Sequence, residues 1–142
     1  MSDKLIYLAS PYSHEDPAVR ERRYQDALHA TTLLFKQGLF VYSPIAYCHA
    51  MATDHAMDGA WASWQAFDKL MVDRCDELWV LDLDGWIDSV GVTAEVGHAG
   101  CNGKPIFRIR HALLLNGASE AEWRLTYMRL TGLVRKEDAN GS

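Results

Sequence analysis

The sequence predicts a single α/β domain built on a doubly wound, mostly parallel sheet of four to five strands. Short apolar runs, typical of buried strands, alternate along the chain with longer segments of helical spacing. The chain has 142 residues, 49% of them hydrophobic and 23% charged, which is typical of one globular domain. No internal repeat or low-complexity segment interrupts this alternation.

The first half of the chain supplies two strands and one clear helix. Leu5–Ala9 is a continuous apolar run that Ser10-Pro11 ends, as expected for a buried strand. Asp16-Pro17 supplies a cap and a first-turn proline, which predict that a helix begins there. Residues 39–42 form the second strand. Residues 45–59 lack a steady period, and we interpret them as a loop with a short helix.

The second half continues the same pattern. Residues 61–75 form a helix, residues 77–81 a third strand and residues 90–102 another long helix. A fourth strand follows at 105–109, and apolar residues at helical spacing predict a last helix over about 118–134.

Parallel strands joined by helical crossovers predict a flavodoxin-like or Rossmann-like fold. In such folds ligands bind outside the carboxyl ends of the strands, where the strand order reverses. The loops after Ala9, Tyr42 and Leu81 should therefore line one crevice. We expect the domain to cover residues 1–135 and the polar tail 136–142 to be disordered.

Composition excludes several classes of partner. The net charge is −5, and no run of basic residues follows a predicted element, which argues against nucleic acid. We interpret the densest basic group, Arg20, Arg22 and Arg23, as a solvated helix face. No apolar stretch approaches 18 residues, so no membrane association is expected. Three cysteines without CxxC spacing favour reduced thiols and a cytoplasmic location.

Motifs for the common cofactors are absent from the sequence. It contains no GxGxxG, no GxxxxGK[ST] and no GxSxG, so we expect no cofactor and no serine nucleophile. Residues 48–55 include metal-ligating types, but at no recognised zinc spacing. Residues 82–85, Asp-Leu-Asp-Gly, resemble part of a calcium loop or a DxD motif, but match neither closely. We therefore expect no metal site.

Two carboxylates occupy unusual positions in their predicted helices. Glu95 is the one carboxylate between Ser89 and Asn102, in a largely apolar helix, where an unused charge is costly to bury. Its ordinary alternative is to face solvent. Asp68 lies four residues after Trp64 on the inward stripe of its helix. Its alternative is to pair with a lysine or a helix end. Two inward carboxylates suit glycosidic chemistry.

The start of the Glu95 helix is a candidate ligand contact. Ser89 can cap this helix, Gly91 lets a ligand approach the backbone, and free N–H groups favour an anion. Ser89 could equally be a cap alone. Tyr7, near the carboxyl end of the first strand, could hydrogen-bond a catalytic carboxylate or be an ordinary core residue.

Three segments resemble the nucleoside 2-deoxyribosyltransferase superfamily, which includes the 2'-deoxynucleoside 5'-phosphate N-hydrolases. The resemblance covers roughly residues 5–109. Residues 6–10, Ile-Tyr-Leu-Ala-Ser, are similar to the family's opening strand and small-residue loop. The Asp68 helix and residues 76–81 are similar to a second segment. The most specific match is Ser89-x-Gly91-Val92-x-x-Glu95-x-Gly97, where the family places its nucleophilic glutamate.

The resemblance implies a role for each matched residue. Glu95 would attack C1' of the sugar, Asp68 would assist proton transfer to the leaving base, and Tyr7 would orient Glu95. Ser89 would contact a 5'-phosphate. The monophosphate hydrolases carry an arginine in the loop after the first strand. This chain has Ser-Pro-Tyr-Ser-His at 10–14, so Arg20, Arg23 or a partner subunit would have to supply that cation.

The function so predicted is hydrolysis of the base–sugar bond of a (deoxy)nucleoside 5'-monophosphate through a covalent glycosyl-Glu intermediate. The alternatives are base exchange by a deoxyribosyltransferase and a catalytically silent nucleotide-sensing module. The substrate-binding candidates are the two predicted anion contacts and three residues at the end of the first strand and in its loop: Ser89, Gly91, Ala9, Ser10 and Tyr12. Tyr12 could stack on a base. The resemblance also implies a homodimer or higher oligomer.

Overall fold

The computed structural model describes residues 3–127, which form one α/β unit. The strands are β1 Leu5–Ala9, β2 Phe40–Tyr42, β3 Glu77–Leu81, β4 Ile106–Ile109 and β5 Arg124–Thr126. The helices are α1 Pro17–Lys36, α2 Pro44–Asp54, α3 Trp61–Arg74, α4 Val90–Cys101, α5 His111–Leu115 and α6 Glu120–Trp123.

These strands form one sheet in the order β2-β1-β3-β4-β5. The first four are parallel to one another, and β5 runs antiparallel to β4. The chain moves outward in one direction from β1 to β2 and in the other from β3 onward. The order therefore reverses between β1 and β3, and the predicted doubly wound fold is confirmed.

Alternation along the strands divides the core into two layers. Ile6 and Leu8 face a layer with the buried residues of α1, and Trp79 and Trp123 pack in the same layer. Tyr7 and its neighbours face the other layer, which contains buried residues of α3 and α4. Since successive side chains of a strand point to opposite faces, the odd positions of β1 lie towards α4. That parity places Tyr7 in the layer that holds Glu95.

Two predicted elements were wrong. Residues 120–123 form only one helical turn, and the chain then pairs with β4 as β5 instead of continuing a helix to residue 134. The rest of that predicted helix, and the predicted tail 136–142, lie outside the described residues. Residues 45–59 are mostly helical, because α2 starts at Pro44 with Ser43 accepting a hydrogen bond from the N–H of Ala46. Within residues 3–127, no helix combines the length and hydropathy needed to span a bilayer.

Candidate active site

A buried pair of side chains joins β1 to α4. The hydroxyl of Tyr7 donates a hydrogen bond to Oε2 of Glu95, across 88 residues of sequence. Tyr7 is fully buried and Glu95 is 4% exposed. Glu95 therefore does not face solvent, so the alternative interpretation of this residue is excluded. Tyr7 is both a core residue and a partner of the carboxylate.

Burial governs the protonation of Glu95. It raises the pKa of the Glu95 carboxyl from 4.5 to about 8, because the charged form loses its hydration. The hydrogen bond from Tyr7 lowers this pKa, and the charge of Asp68 raises it. The pKa of Tyr7 lies well above its ordinary value through burial and the charges of Glu95 and Asp68, so its phenol stays protonated as a donor.

Asp68 is the second buried carboxylate of this site. It belongs to α3, which packs against α4, and it is 7% exposed. Its Oδ1 has no hydrogen-bond partner among the residues that the structure describes. Burial raises the pKa of Asp68 to about 6. Within residues 3–127, neither a lysine nor a helix end pairs with its Oδ1, as the ordinary alternative for Asp68 required.

A cavity of about 290 Å³ opens at the reversal of strand order. Its wall comes from the loop after β1, from α2 and α3, and from the segment between β3 and α4. The lining residues are Ser10, Tyr12, Ser13, His14, Arg23, Ile45, Cys48, Gly59, Trp61, Trp64, Asp68, Gly85, Asp88, Ser89, Val90 and Gly91. The loops after β1 and β3 thus share one crevice, as predicted, whereas after β2 the wall is formed by helix α2, through Ile45 and Cys48.

Two polar atoms in this wall are buried without a partner. They are Oγ of Ser10 and Oδ1 of Asp68, and neither has a hydrogen-bond partner within residues 3–127. Buried polar atoms in proteins are nearly always paired, because losing water without a replacement costs free energy. A polar ligand in the cavity would satisfy both atoms.

The first turn of α4 forms another part of the wall. Oγ of Ser89 accepts a hydrogen bond of 3.2 Å from the N–H of Val92, so Ser89 is indeed the cap. The first N–H groups of any helix lack partners within it and favour an anion. A Cβ on Gly91 would lie 3.5 Å from the ring of Trp61. Only a small residue here leaves the backbone open beside that indole.

Arg23 joins the two sides of the crevice. Its Nη1 donates to the carbonyl of Ser13 at 2.9 Å, and its Nη2 donates to the carbonyl of Asp84 at 3.2 Å. A Cβ on Gly85 would lie 2.4 Å from that Nη2, so the glycine makes room for the guanidinium. The interpretation of Arg23 as part of a solvated face was therefore wrong, because Arg23 lies in the second turn of α1, close to the loop after β1, and lines the cavity.

The predicted site residues fall into two groups. Asp68, Ser10, Tyr12, Ser89 and Gly91 lie in the cavity wall. Glu95 and Tyr7 are buried together and do not line the cavity, and Ala9 is fully buried.

Sequence reasoning missed the α2 residues Ile45 and Cys48 in the wall. Their signal was available, since Ser43-Pro44 is the same kind of helix start as Asp16-Pro17. Among the tryptophans, Trp61 lines the cavity, whereas Trp86 packs in the core beneath Arg108.

The residues with metal-ligating side chains have other partners. Among residues 3–127, no three His, Cys, Asp or Glu side chains come together as a metal site would require. His49 lies between Tyr12 and Glu21. Asp82 binds Arg108 at 3.0 Å and accepts the N–H of His111, so it supports the sheet edge.

The fold and its crevice define an α/β protein with a cavity at the switch point of the sheet. Residues 4–111 match the family described as "Domain of unknown function (DUF1937)", and the chain belongs to that family. A 2-deoxyribosyltransferase from the psychrotolerant bacterium Bacillus psychrosaccharolyticus shares the fold, with a TM-score of 0.51 and 24% identity. The similarity covers 73% of this chain and 70% of that one. No curated protein matches the chain.

Proposed function

We propose that this chain is an N-glycosidase that hydrolyses the base–sugar bond of a (deoxy)nucleoside 5'-monophosphate. One observation carries the proposal: two buried carboxylates lie on adjacent helices, Asp68 in the cavity wall and Glu95 buried in α4, where a tyrosine donates to it. Keeping two carboxyls out of water is costly, and paired groups with raised pKa values are typical of catalytic sites. The fold shared with a 2-deoxyribosyltransferase supports the same chemistry.

The proposed reaction has two balanced steps. An oxygen of Glu95 bonds to C1' as the C1'–N bond breaks, and the electron pair of that bond leaves with the base. Asp68 gives its proton to the base nitrogen. Water then bonds to C1', its proton returns to Asp68, and the bond to Glu95 breaks. Tyr7 holds the Glu95 oxygen throughout, and the chemistry requires no cofactor.

Between about pH 6 and pH 8 the two carboxyls together hold one proton, because their pKa values lie near those limits. The higher pKa belongs to Glu95, so the resting proton lies on Glu95 and Asp68 is ionised. The reactive arrangement, with the proton on Asp68 and the charge on Glu95, is therefore the minor one, and the proton must move from Glu95 to Asp68 before attack. Because Asp68 lines the cavity and Glu95 does not, attack also requires the Glu95 carboxylate to turn towards the sugar while its hydrogen bond to Tyr7 is kept.

The phosphate would bind at the part of the crevice that the start of α4 lines. Ser89, the first turn of α4 and the guanidinium of Arg23 all contribute to the wall there. Residues 10–14 of the loop after β1 contain no arginine, and Arg23 would supply the cation in its place. Together these groups offer the hydrogen-bond donors and positive charge that a phosphate needs.

The test is incubation of the protein with a panel of ribo- and deoxyribonucleotides and nucleosides, followed by chromatography of the free bases. We expect base release from monophosphates, and its loss in Glu95→Gln with the fold intact. Glu15→Gln, a change at an exposed acid of the loop before α1, is the matched control and should keep full activity. Absence of base release from every compound would overturn the proposal.

A second assay locates the nucleophile. A slow 2'-fluoro substrate analogue should trap the glycosyl-enzyme, and peptide mass spectrometry should find the sugar on the peptide containing Glu95. A sugar on Asp68, the carboxylate that lines the cavity, would reverse the two roles. Adding a second free base distinguishes transfer, since base exchange faster than hydrolysis would favour a deoxyribosyltransferase. Tight binding without turnover would favour a sensing module.

A further inference from the structure

A second hydrogen-bonded chain of side chains leads from the cavity to the surface. The hydroxyl of Tyr12 lies 2.8 Å from Nδ1 of His49, and Nε2 of His49 lies 2.9 Å from Oε1 of Glu21. Tyr12 lines the cavity, and the proposed reaction uses none of these three residues. They come from the loop after β1, from α2 and from α1.

The middle of this chain is firmly held. His49 is 5% exposed, and the ring of Tyr24 stacks on it at 4.1 Å with an angle of 17° between the planes. Tyr12 is 6% exposed and meets the imidazole edge-on. The side chain of Glu21 is 55% exposed, so the chain ends in solvent. A buried imidazole with two good partners has a defined orientation.

Glu21 determines which imidazole nitrogen carries the proton. Hydrogen bonds from Gln25 and His49 lower the pKa of its carboxyl, so it is ionised and accepts hydrogen bonds only. Nε2 of His49 must then carry the N–H. In the neutral imidazole Nδ1 is left as an acceptor, and the hydroxyl of Tyr12 donates to it. Burial raises the pKa of Tyr12, so the phenol keeps the proton that it donates.

The hydroxyl proton of Tyr12 is thus committed to His49, which leaves only the lone pairs of its oxygen for a ligand. We propose that Tyr12 acts as a hydrogen-bond acceptor in the cavity wall and selects ligands that present a hydroxyl or amino group there. A Cβ on Gly59, another wall residue, would lie 3.8 Å from this hydroxyl oxygen. The inference rests on the proposed function for the ligand class, a nucleotide.

Two kinds of donor on a nucleotide fit this description, a base amino group and a sugar hydroxyl. Matched ligands distinguish them. Adenosine 5'-monophosphate is compared with three nucleotides. Purine riboside 5'-monophosphate lacks the amino group, and 2'-deoxyadenosine and 3'-deoxyadenosine 5'-monophosphate each lack one sugar hydroxyl. Binding is measured by calorimetry with wild type and with Tyr12→Phe. We expect one of these deletions to weaken wild-type binding on the order of three- to tenfold and Tyr12→Phe binding hardly at all.

The tautomer is measured without any ligand. In a two-bond ¹H–¹⁵N spectrum at mildly alkaline pH, the His49 signals, identified by their loss in His49→Asn, should show the proton on Nε2. Glu21→Ala should change the fraction of His49 with its proton on Nε2. Glu21→Gln should preserve that fraction, because the amide oxygen still accepts a hydrogen bond from Nε2. Glu15→Ala removes a nearby exposed carboxylate and should change nothing.

Gly59→Ala offers a variant that leaves the three residues intact. The new methyl group would lie 3.1 Å from the Tyr12 ring, so the ring must move slightly, and we expect a smaller loss of selectivity in the same direction. Gly97→Ala, whose Cβ has nothing within 4 Å, is the control.

Several results would overturn the inference. A proton on Nδ1 of His49 would make Tyr12 a donor. If each matched ligand loses affinity equally in wild type and in Tyr12→Phe, Tyr12 has no role in ligand selection. Binding without base release would defeat only the proposed hydrolysis, since selectivity is measured by binding. Absence of binding to all four nucleotides would defeat both.

Discussion

At the scale of single residues, the site is defined by the cost of burying Glu95. A carboxyl whose pKa rises from 4.5 to about 8 on folding favours its protonated form in the folded state. The folded protein therefore binds a proton that the unfolded chain releases between those two pH values. The stability from this carboxyl is fully present below pH 4.5 and is lost as the pH rises through 8.

Glu95→Gln should accordingly be inactive but more stable than wild type at alkaline pH. A pKa difference of one corresponds to about 1.4 kcal/mol, so we expect the variant to gain about 2–4 kcal/mol at pH 8. The gain should vanish near pH 4, where Glu95 is protonated in both states. Urea unfolding at both pH values measures it. Equal stability of the two proteins at pH 8 would contradict the burial cost.

In the proposed reaction, Asp68 contributes to the pH dependence of turnover. With one proton shared by two carboxyls, we expect kcat/KM to rise through about pH 6 and fall through about pH 8. Asp68→Asn removes the acid and a negative charge that raises the pKa of Glu95. The profile should lose its alkaline limb, its acid limb should follow the ionisation of Glu95 alone at a pH below about 8, and activity should drop on the order of 100-fold or more. An unchanged profile would exclude Asp68 from proton transfer.

At the scale of elements, the crevice depends on how two loops are tied together. Arg23 reaches from α1 to carbonyl groups of the loop after β1 and the loop after β3. Gly85 has a φ of +90° and leaves the space that the guanidinium occupies. Gly85 is therefore required both for its positive φ and for the space that it leaves to Arg23. Gly103 shares only the positive φ. Gly103 has a φ of +70° with nothing within 4 Å of its Cβ position.

Comparison of Gly85→Ala with Gly103→Ala isolates the role of Arg23. Both substitutions put a methyl group on a left-handed backbone and should cost about 1–2 kcal/mol of stability. Only Gly85→Ala should also displace Arg23 and weaken binding of nucleoside monophosphates, by roughly tenfold or more. Thermal unfolding and ligand titration test the pair. Equal effects of the two substitutions on binding would remove Arg23 from the site.

The elements that could be predicted are those with local signals. Each parallel strand is a short apolar run next to a helix of regular spacing, and the positions of Glu95 and Asp68 follow from their apolar neighbours. The pairing of Arg108 with Leu125 is not local, so the apolar spacing after residue 118 predicted a helix where β5 forms. The place of Arg23 in the cavity wall likewise depends on a contact 61 residues away.

At the scale of the whole molecule, the core layers on the two sides of the sheet differ in composition and in proposed role. The layer containing α3 and α4 holds Glu95 and Asp68, whereas the opposite layer is mainly apolar around Trp79 and Trp123, apart from Glu77, which accepts the indole N–H of Trp79. These two indoles are almost fully buried, with ring centroids 6.0 Å apart. Stability and chemistry are therefore largely separated by the sheet.

Trp123→Ala should reveal this separation. Loss of a fully buried indole should lower the free energy of unfolding by about 3–5 kcal/mol. Activity per folded molecule should change little, since the indole lies across the sheet from Glu95. Leu115→Ala, at a half-exposed leucine of α5, is the control and should cost at most about 0.5 kcal/mol. Denaturation curves and assays on the folded fraction provide the measurement.

The placement of Tyr7 on β1 has a consequence for how this sequence can change. Its phenol meets Glu95 because Tyr7 is an odd-numbered residue of a pleated strand whose even-numbered neighbours face the other layer. One residue gained or lost within the strand would exchange the two faces, turning an aliphatic side chain towards the carboxylate and the phenol into the apolar layer. Two residues would restore the parity. Length variation in this strand should therefore be tolerated only in even steps, however conservative the added residue.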